Sequence, residues 1–232
     1  MTTVVLTFDV DWAPEPVLAD VLELLEDVGA SATFFATHGS HALRAAESDR
    51  IELGVHPDFR GAGDDLVRPL RRLLNAYPGA RGTRSHLLIQ SSPLLQVFVD
   101  EGLDYESNTH LPFHRGLHPV TRVPGIVSIP YAWSDDTHFR LRDDFDAADL
   151  PLDGGVAVLA FHPMHVFMNT RSSEHYESYR ASYLDAAALE PHRNRDAPGV
   201  RTLFEALLGQ VRAGSVATCT LARVCDEYRV QT

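Results

Sequence analysis

Short apolar runs that end in a charged or polar residue recur along this chain, separated by longer stretches with apolar residues every three or four positions. Val4–Trp12 (VVLTFDVDW), Ala32–Thr37, Ile51–His56, Gly82–His86, Leu103–Ser107, Ile126–Tyr131, Val156–Phe161 and Val216–Thr220 read as strands. Runs this short and this rich in β-branched and aromatic residues suit strands buried on both faces. Between them, Val17, Val21, Leu24, Leu25 and Val28 predict an amphipathic helix closed by Gly29. Asp64 and Asp65 precede Leu66, Leu70, Leu73, Leu74 and Tyr77 at helical spacing. Ser91, Ser92 and Pro93 form a helix start before Leu94–Asp100, and Val200–Arg212 and Leu221–Tyr228 are amphipathic. Weaker helical patterns cover His41–Glu47 and Glu174–Leu189, while Asn108–Gly116 and Ser134–Asp153 read as loops. Strand and helix alternate throughout, with no linker or repeat, so an α/β fold with a parallel sheet is expected. Seven or eight strands in one domain spanning residues 1–232 favour a barrel over an open sheet.

Composition narrows the partners. Apolar content of 44% and charged content of 22% are those of a soluble globular protein. A net charge of −12 argues against a nucleic-acid partner, which would want a basic face. All twenty basic residues are arginine. No apolar run approaches the roughly 18 residues of a membrane span. The N-terminus enters a strand with no basic segment followed by an apolar one, so cytoplasmic residence is expected. Cys219 and Cys225 match no zinc or redox spacing and read as two thiols without a chemical role.

Chemistry gathers at the strand ends. Asp9 and Asp11 lie two apart, so in an extended chain both carboxylates point to one side. Two like charges at the end of a buried strand need a metal ion, an arginine or a held proton, unless one caps the next helix and the other is solvated. His56, Arg84, His86, Asp104 and His162 fall at or near the ends of later strands, where the working face of a parallel barrel lies. Each has a structural alternative: a satisfied core histidine for His56, a turn residue for His86, a surface ion pair for Arg84 or Asp104, a strand stop for His162. The set is more specific than any member.

These residues resemble the motifs of the NodB-type polysaccharide deacetylases, carbohydrate esterase family four. Thr7-Phe8-Asp9-Val10-Asp11 resembles that family's T-F-D-D-G, and Glu52-Leu53-Gly54-Val55-His56 resembles its E-I-G-x-H. The resemblance implies a distorted (β/α) barrel, Asp9 as catalytic base, and Asp11 and His56 as metal ligands. It also implies Arg84 as a third-motif arginine, Asp104 as a fourth-motif acid and His162, in Leu159-Ala160-Phe161-His162, as general acid. His162-Pro163-Met164-His165, followed by Asn169-Thr170, is similar to a divergent WbmS-like branch found in surface-polysaccharide gene clusters, and His165 joins the candidate substrate contacts.

One departure is sharp. The family places a second metal histidine four residues after the first, and this chain has Arg60 there. Arginine is no ligand for a divalent cation. His86 faces the same way as Arg84 if both lie in a strand and could supply the missing ligand; Asp58 is the other neighbour. A single divalent ion, zinc before cobalt, nickel or manganese, is then expected on Asp11, His56 and His86, opening a hydrolytic route to an N-acetyl group on an amino sugar. Tyr131, Trp133, Asp135 and Asp136 are expected to line the barrel mouth, with Trp133 alternatively a core or lid residue. Metal-free or cyclic-amide hydrolysis, and sugar binding without catalysis, are the competing functions. The sugar and the oligomeric state stay open.

Overall fold

The structure, a computed structural model, describes residues 2–231. Its strands are β1 (Thr2–Asp9), β2 (Ala32–Ala36), β3 (Ile51–Val55), β4 (Gly82–Thr83), β5 (Tyr105–Glu106), β6 (Val120–Arg122), β7 (Ile126–Ser128), β8 (Trp133–Ser134), β9 (Ala157–Phe161) and β10 (Val216–Thr218). They form one mixed sheet in the order β6-β7-β5-β4-β3-β2-β1-β9-β8, with β10 also on β1. Every pairing is parallel except that of β6 with β7. Val4 pairs with both Ala157 and Thr218, so β9 and β10 hold opposite edges of β1, and β10 shares its edge with β2.

The sheet curls into a distorted half-barrel. Residues 126–134 tie its two sides: Ile129 and Tyr131 donate their N–H groups to Glu106 and Thr109, whereas Ala132 donates to Val158. Trp133 then pairs with Leu159. The expected single-domain barrel with parallel strands is therefore the architecture found, with an added antiparallel hairpin at β6–β7.

Strand alternation sorts the side chains. On β1, Val4, Leu6 and Phe8 face outward into the main core, where Val17, Leu18, Val21 and Leu25 of the helix Glu15–Glu26 and Leu203, Phe204 and Leu207 of the helix Val200–Arg212 cover them. Val5, Phe35, Val158 and Ala160 face inward with Tyr105, Val127, Ile129 and Tyr131. The period of two carries the inner set upward from Val5 through Thr7 to Asp9, from Glu52 through Gly54 to His56, and from Val158 through Ala160 to His162. Thus a pattern that exists to bury Val and Phe also aims one carboxylate and two imidazoles into the mouth. Gly54 is needed for closeness: a Cβ there would lie 2.8 Å from the Phe35 ring and 2.9 Å from the Gly82 carbonyl.

Three helical regions differ from the sequence expectation. Asp135–Leu141 is a helix, not a loop; the Ser134 side chain accepts from the Thr137 N–H, and Asp135 and Asp136 occupy the favourable first turn. A second helix, Pro163–Met168, starts on His162 as its N-cap. The helix expected over 174–189 is broken into Ser173–Tyr179, a turn at Arg180–Ser182 and Ala186–Leu189. No helix is long and apolar enough to cross a membrane among the described residues.

Candidate active site

The strand β1 ends at Asp9, whose Oδ1 accepts from Arg84 Nη1 at 2.9 Å. Arg84 is completely buried just past β4. A buried guanidinium is costly unless its donors are taken, and here Nη1 also reaches Thr7 Oγ1, Nε the Ser107 carbonyl and Nη2 the Ser107 hydroxyl. The Phe35 and Tyr131 rings sandwich it at 4.7 and 4.4 Å. So saturated a guanidinium is a fixed point, and it fixes Asp9.

Asp11, His56 and His86 converge beside this pair. Asp11 Oδ1 lies 3.0 Å from His86 Nδ1 and 3.2 Å from His56 Nε2, and those two nitrogens are 3.3 Å apart. Burial works to raise the Asp11 pKa, but hydrogen bonds to His56 and His86 and the nearby His56 and His162 outweigh it and hold the carboxyl well below its usual range. His86 arrives by a route other than the expected one. The strand stops at Thr83, and His86 begins a tight turn, His86–Leu88, in which Leu87 and Leu88 are left-handed (φ 56° and 54°). Asp11 and Trp12 are left-handed as well (φ 43° and 59°), and the Trp12 ring meets that of His86 edge-on at 5.0 Å. Strained backbone on both sides of the cluster persists only where surroundings over-determine it.

The three donors suit a divalent ion. Ligands 2.0–2.1 Å from a tetrahedral ion sit about 3.3 Å from one another, close to the 3.0–3.3 Å triangle observed. Their chemistry, two imidazoles and a carboxylate, is a mixed set that zinc accepts. Asp58 is no part of it, because Arg60 grips its carboxylate in a bidentate ion pair, down to 2.7 Å.

Across the cleft, the buried Asp135 carboxylate accepts from His162 Nδ1 and from the His162 backbone N–H, both at 2.7 Å. A carboxylate only accepts, so Nδ1 carries the hydrogen and His162 Nε2 faces inward, 3.8 Å from Asp11 Oδ2. Burial disfavours a charged imidazole at His162; Asp135, Asp11 and Asp136 overcome it and raise its pKa well above the ordinary value. His165, one turn on, behaves oppositely: burial drives its pKa down to about 4, and its Nδ1 lies 3.0 Å from the Tyr179 hydroxyl.

Asp9, Asp11, His56, His86, Tyr131, Asp136, His162 and His165 all line one cleft of about 430 Å³, with Arg84 directly beneath Asp9. Three expected positions need correction. Asp104 precedes β5, so it sits at the opposite end of the barrel, paired with Arg81 at 2.7 Å and Arg229 at 2.6 Å. Trp133 is buried, its Nε1 donating to His138 Nδ1, and does not reach the cleft. Asp135 belongs to the site but not as a sugar contact, since its oxygens are occupied by His162 and the Asp136 N–H. Cleft residues absent from the sequence reading are His110, stacked on Tyr131 at 4.4 Å, Arg140, Tyr176, Arg180 and Tyr183. The last set had a signal: Tyr176, Arg180 and Tyr183 fall at i, i+4 and i+7, one face of a helical run.

Comparisons with known proteins give a consistent picture. The family model for WbmS-like polysaccharide deacetylases matches residues 6–180. A Bordetella bronchiseptica protein assigned as a polysaccharide deacetylase involved in O-antigen biosynthesis is 36% identical, with a TM-score of 0.83 over 89% of this chain and 90% of its own. A family 4 carbohydrate esterase from Bacillus anthracis shares the fold at 12% identity and TM-score 0.54, covering 97% of this chain and 83% of its own. A pseudoenzyme of the same esterase family from that organism does so at 14% identity and TM-score 0.53, covering 97% and 66%. No curated protein matches the chain.

Proposed function

The chain belongs to the WbmS-like polysaccharide deacetylases, and from that membership we propose that it removes an N-acetyl group from an amino sugar of surface-polysaccharide metabolism with the help of one divalent metal ion. The observation that carries the reading is the arrangement of two proton-handling pairs, Asp9–Arg84 and His162–Asp135, on either side of the Asp11–His56–His86 triangle. A pocket that only bound sugar would have no use for a carboxylate and an imidazole each oriented by its own buried partner.

The chain's residues divide the work. Asp9, oriented by Arg84, takes a proton from the water that attacks the amide carbon. His162 Nε2 gives a proton to the departing nitrogen, without which the C–N bond is a poor one to break. Asp135 holds the imidazole in the tautomer and rotamer that present Nε2 to the cleft. Asp11, His56 and His86 would hold the ion, which would supply Lewis acidity and a lowered water pKa. The two faces of Tyr131 are taken by Arg84 and His110, so a sugar face would meet His110 or Tyr176, which also line the cleft. The products are a free amine and acetate.

Amine and acetate release from acetylated amino sugars by the zinc-loaded protein tests this. Turnover per folded molecule of His162→Ala should fall ~10²–10⁴-fold, and its melting temperature should drop as well, because the buried Asp135 carboxylate loses its partner. A loss under about tenfold removes His162 from the acid's role, and absence of release from every acetylated sugar tried removes the activity. Zinc binding measured by calorimetry should be lost in His86→Ala, independently of any turnover.

A further inference from the structure

The proposal that follows rests on the deacetylase reading and concerns what the sugar carries. We propose that the substrate bears an anionic group, a phosphate ester or a carboxylate, which Arg60, Arg140 and Arg180 bind at the mouth of the cleft. The three guanidiniums come from separate elements: the loop after β3, the helix Asp135–Leu141 and the turn after the helix Ser173–Tyr179. All three line the same cavity as Asp9, Asp11 and His162. In a chain of 32 acidic and 20 basic residues, such convergence on one opening is against the overall balance.

Their present partners leave them available. Arg60 pairs with Asp58, Arg140 with Asp136 at 3.8 Å and Arg180 with Glu177 at 3.2 Å, and the three arginine side chains are 56%, 59% and 62% exposed. The Arg140 and Arg180 pairs are long or exposed and contribute little, so an incoming anion can displace or share them, while Arg60 holds Asp58 through Nε and Nη2 and offers its Nη1. Asp58 and Glu177 lie outside the cavity that their arginines line. Arg60, Arg84, Arg140 and Arg180 face the acids Asp9, Asp11, Asp58, Asp135, Asp136 and Glu177, and a divalent ion on the triangle would bring the two sides level. The cleft is then level in charge within a strongly negative molecule, with its guanidiniums outermost. That arrangement attracts anions and focuses them on the cleft. The Tyr176 phenol stands within the electrostatic reach of both Arg140 and Arg180, and the Arg180 guanidinium is 5.9 Å from its ring centre. A ring for the sugar face and planar donor forks for an oxyanion are thus adjacent; guanidinium suits phosphate and carboxylate bidentately.

Arg60 adds a separate argument. It occupies the position where the family resemblance puts a metal histidine, yet it still lines the cleft. With His86 completing the donor triangle, position 60 is free to contact substrate.

The test compares three probes on zinc-loaded protein: N-acetylglucosamine, its 1-phosphate and its 6-carboxylate analogue. Binding is measured by calorimetry and amine release alongside it. One of the anionic probes should bind at least about tenfold tighter than the neutral sugar, and the better of the two identifies the source of the charge. That preference should collapse in Arg140→Gln/Arg180→Gln and weaken in Arg60→Gln, and it should shrink with added salt. Equal binding of the three, or no binding by any, overturns the proposal. So does a preference that survives in the arginine variants, because the metal alone would then hold the anion. Amine release that ignores probe charge sinks the proposal while leaving deacetylation standing. Charge-selective, arginine-dependent binding without amine release supports the anion site and counts against deacetylation instead.

Discussion

The two ends of the barrel interior hold comparable polar equipment and use it differently. At the carboxyl ends of the strands lie Asp9, Asp11, His56, His86 and His162; at the amino ends lies Glu52, with Asp104 and its arginines on the rim. Glu52 is saturated by the protein: Oε1 accepts from the Tyr105 hydroxyl at 2.7 Å, and Oε2 from Thr33 Oγ1 at 2.8 Å and the Ala222 N–H at 2.9 Å. The C-terminal helix Leu221–Gln231 caps that end, and burial raises the Glu52 pKa. At the other end the side chains converge on one another instead. Asp11 Oδ1, His56 Nε2 and His86 Nδ1 lie 3.0–3.3 Å from one another. A carboxylate filled by the protein's own donors has a structural role, whereas three ligating atoms turned toward one another form a site that fits an external cation.

The strongest way to sharpen this contrast is Asp135→Asn. The carboxylate is buried and serves His162 alone among the side chains of the cleft, so the change tests whether the upper end works as an acid–base machine. Turnover should fall by at least about tenfold. The pH profile should move as well. His162 must be protonated to act, and Asp135 raises its folded pKa, so the rate declines as pH rises through that pKa. Removing the charge lowers the pKa and starts the decline at lower pH. The same sign governs stability: the ion pair contributes fully below the ordinary histidine pKa of about 6.5 and is lost as pH rises through the raised value. An alkaline limb that stays where it was would refute the positioning role.

Much of this was legible in the sequence because strand alternation is a strict rule. Val5-Thr7-Asp9 and Val158-Ala160-His162 point inward by the same period that buries Phe8 and Phe161 outward. The family resemblance and the strand positions agreed on Asp9, Asp11, His56, Arg84 and His162, and the structure brings them together. Two misplacements and one unexpected route have local physical causes. Asp104 sits one residue before its strand, and a short strand in sequence does not say which of its ends carries a nearby charge. Asp135 reads as part of a loop, because a two-residue strand followed at once by a capped helix leaves little periodic signal. His86 reached the site through two left-handed leucines, a conformation no pattern of hydrophobicity announces.

The lower end should respond through stability. Glu52→Ala leaves the buried Tyr105 hydroxyl and the Ala222 N–H without their acceptor. At ~1–3 kcal/mol for each of the two orphaned groups, the fold should lose about 2–6 kcal/mol, and the melting temperature roughly 5–25 °C. Turnover of the protein that remains folded should change less than about twofold. Glu52→Gln keeps an acceptor and should lose less. A variant that melts normally but turns over poorly would show that the two ends are coupled.

The smallest effect is expected at Asp104. Its carboxylate bridges Arg81 and Arg229, and Arg81 extends the chain of charges to Asp226 at 2.6 Å. Burial tends to raise the Asp104 pKa, and the two guanidiniums more than reverse this, so the net shift is downward. A depressed carboxyl pKa means stability that is present above the ordinary value of about 3.9 and is lost as pH falls through the folded one. The pairs are partly solvated, so the stability lost in Asp104→Asn at neutral pH should be under about 1 kcal/mol. That difference should vanish in acid, where both proteins carry a neutral side chain. Arg229 Nη2 keeps its bond to the Asp104 carbonyl at 3.0 Å, which the substitution leaves in place. Turnover at saturating sugar should stay within about twofold of the parent. A fall beyond about tenfold with an unchanged melting temperature would return Asp104 to the catalytic set, and with it the idea that the strands' amino ends take no part in the chemistry would fail.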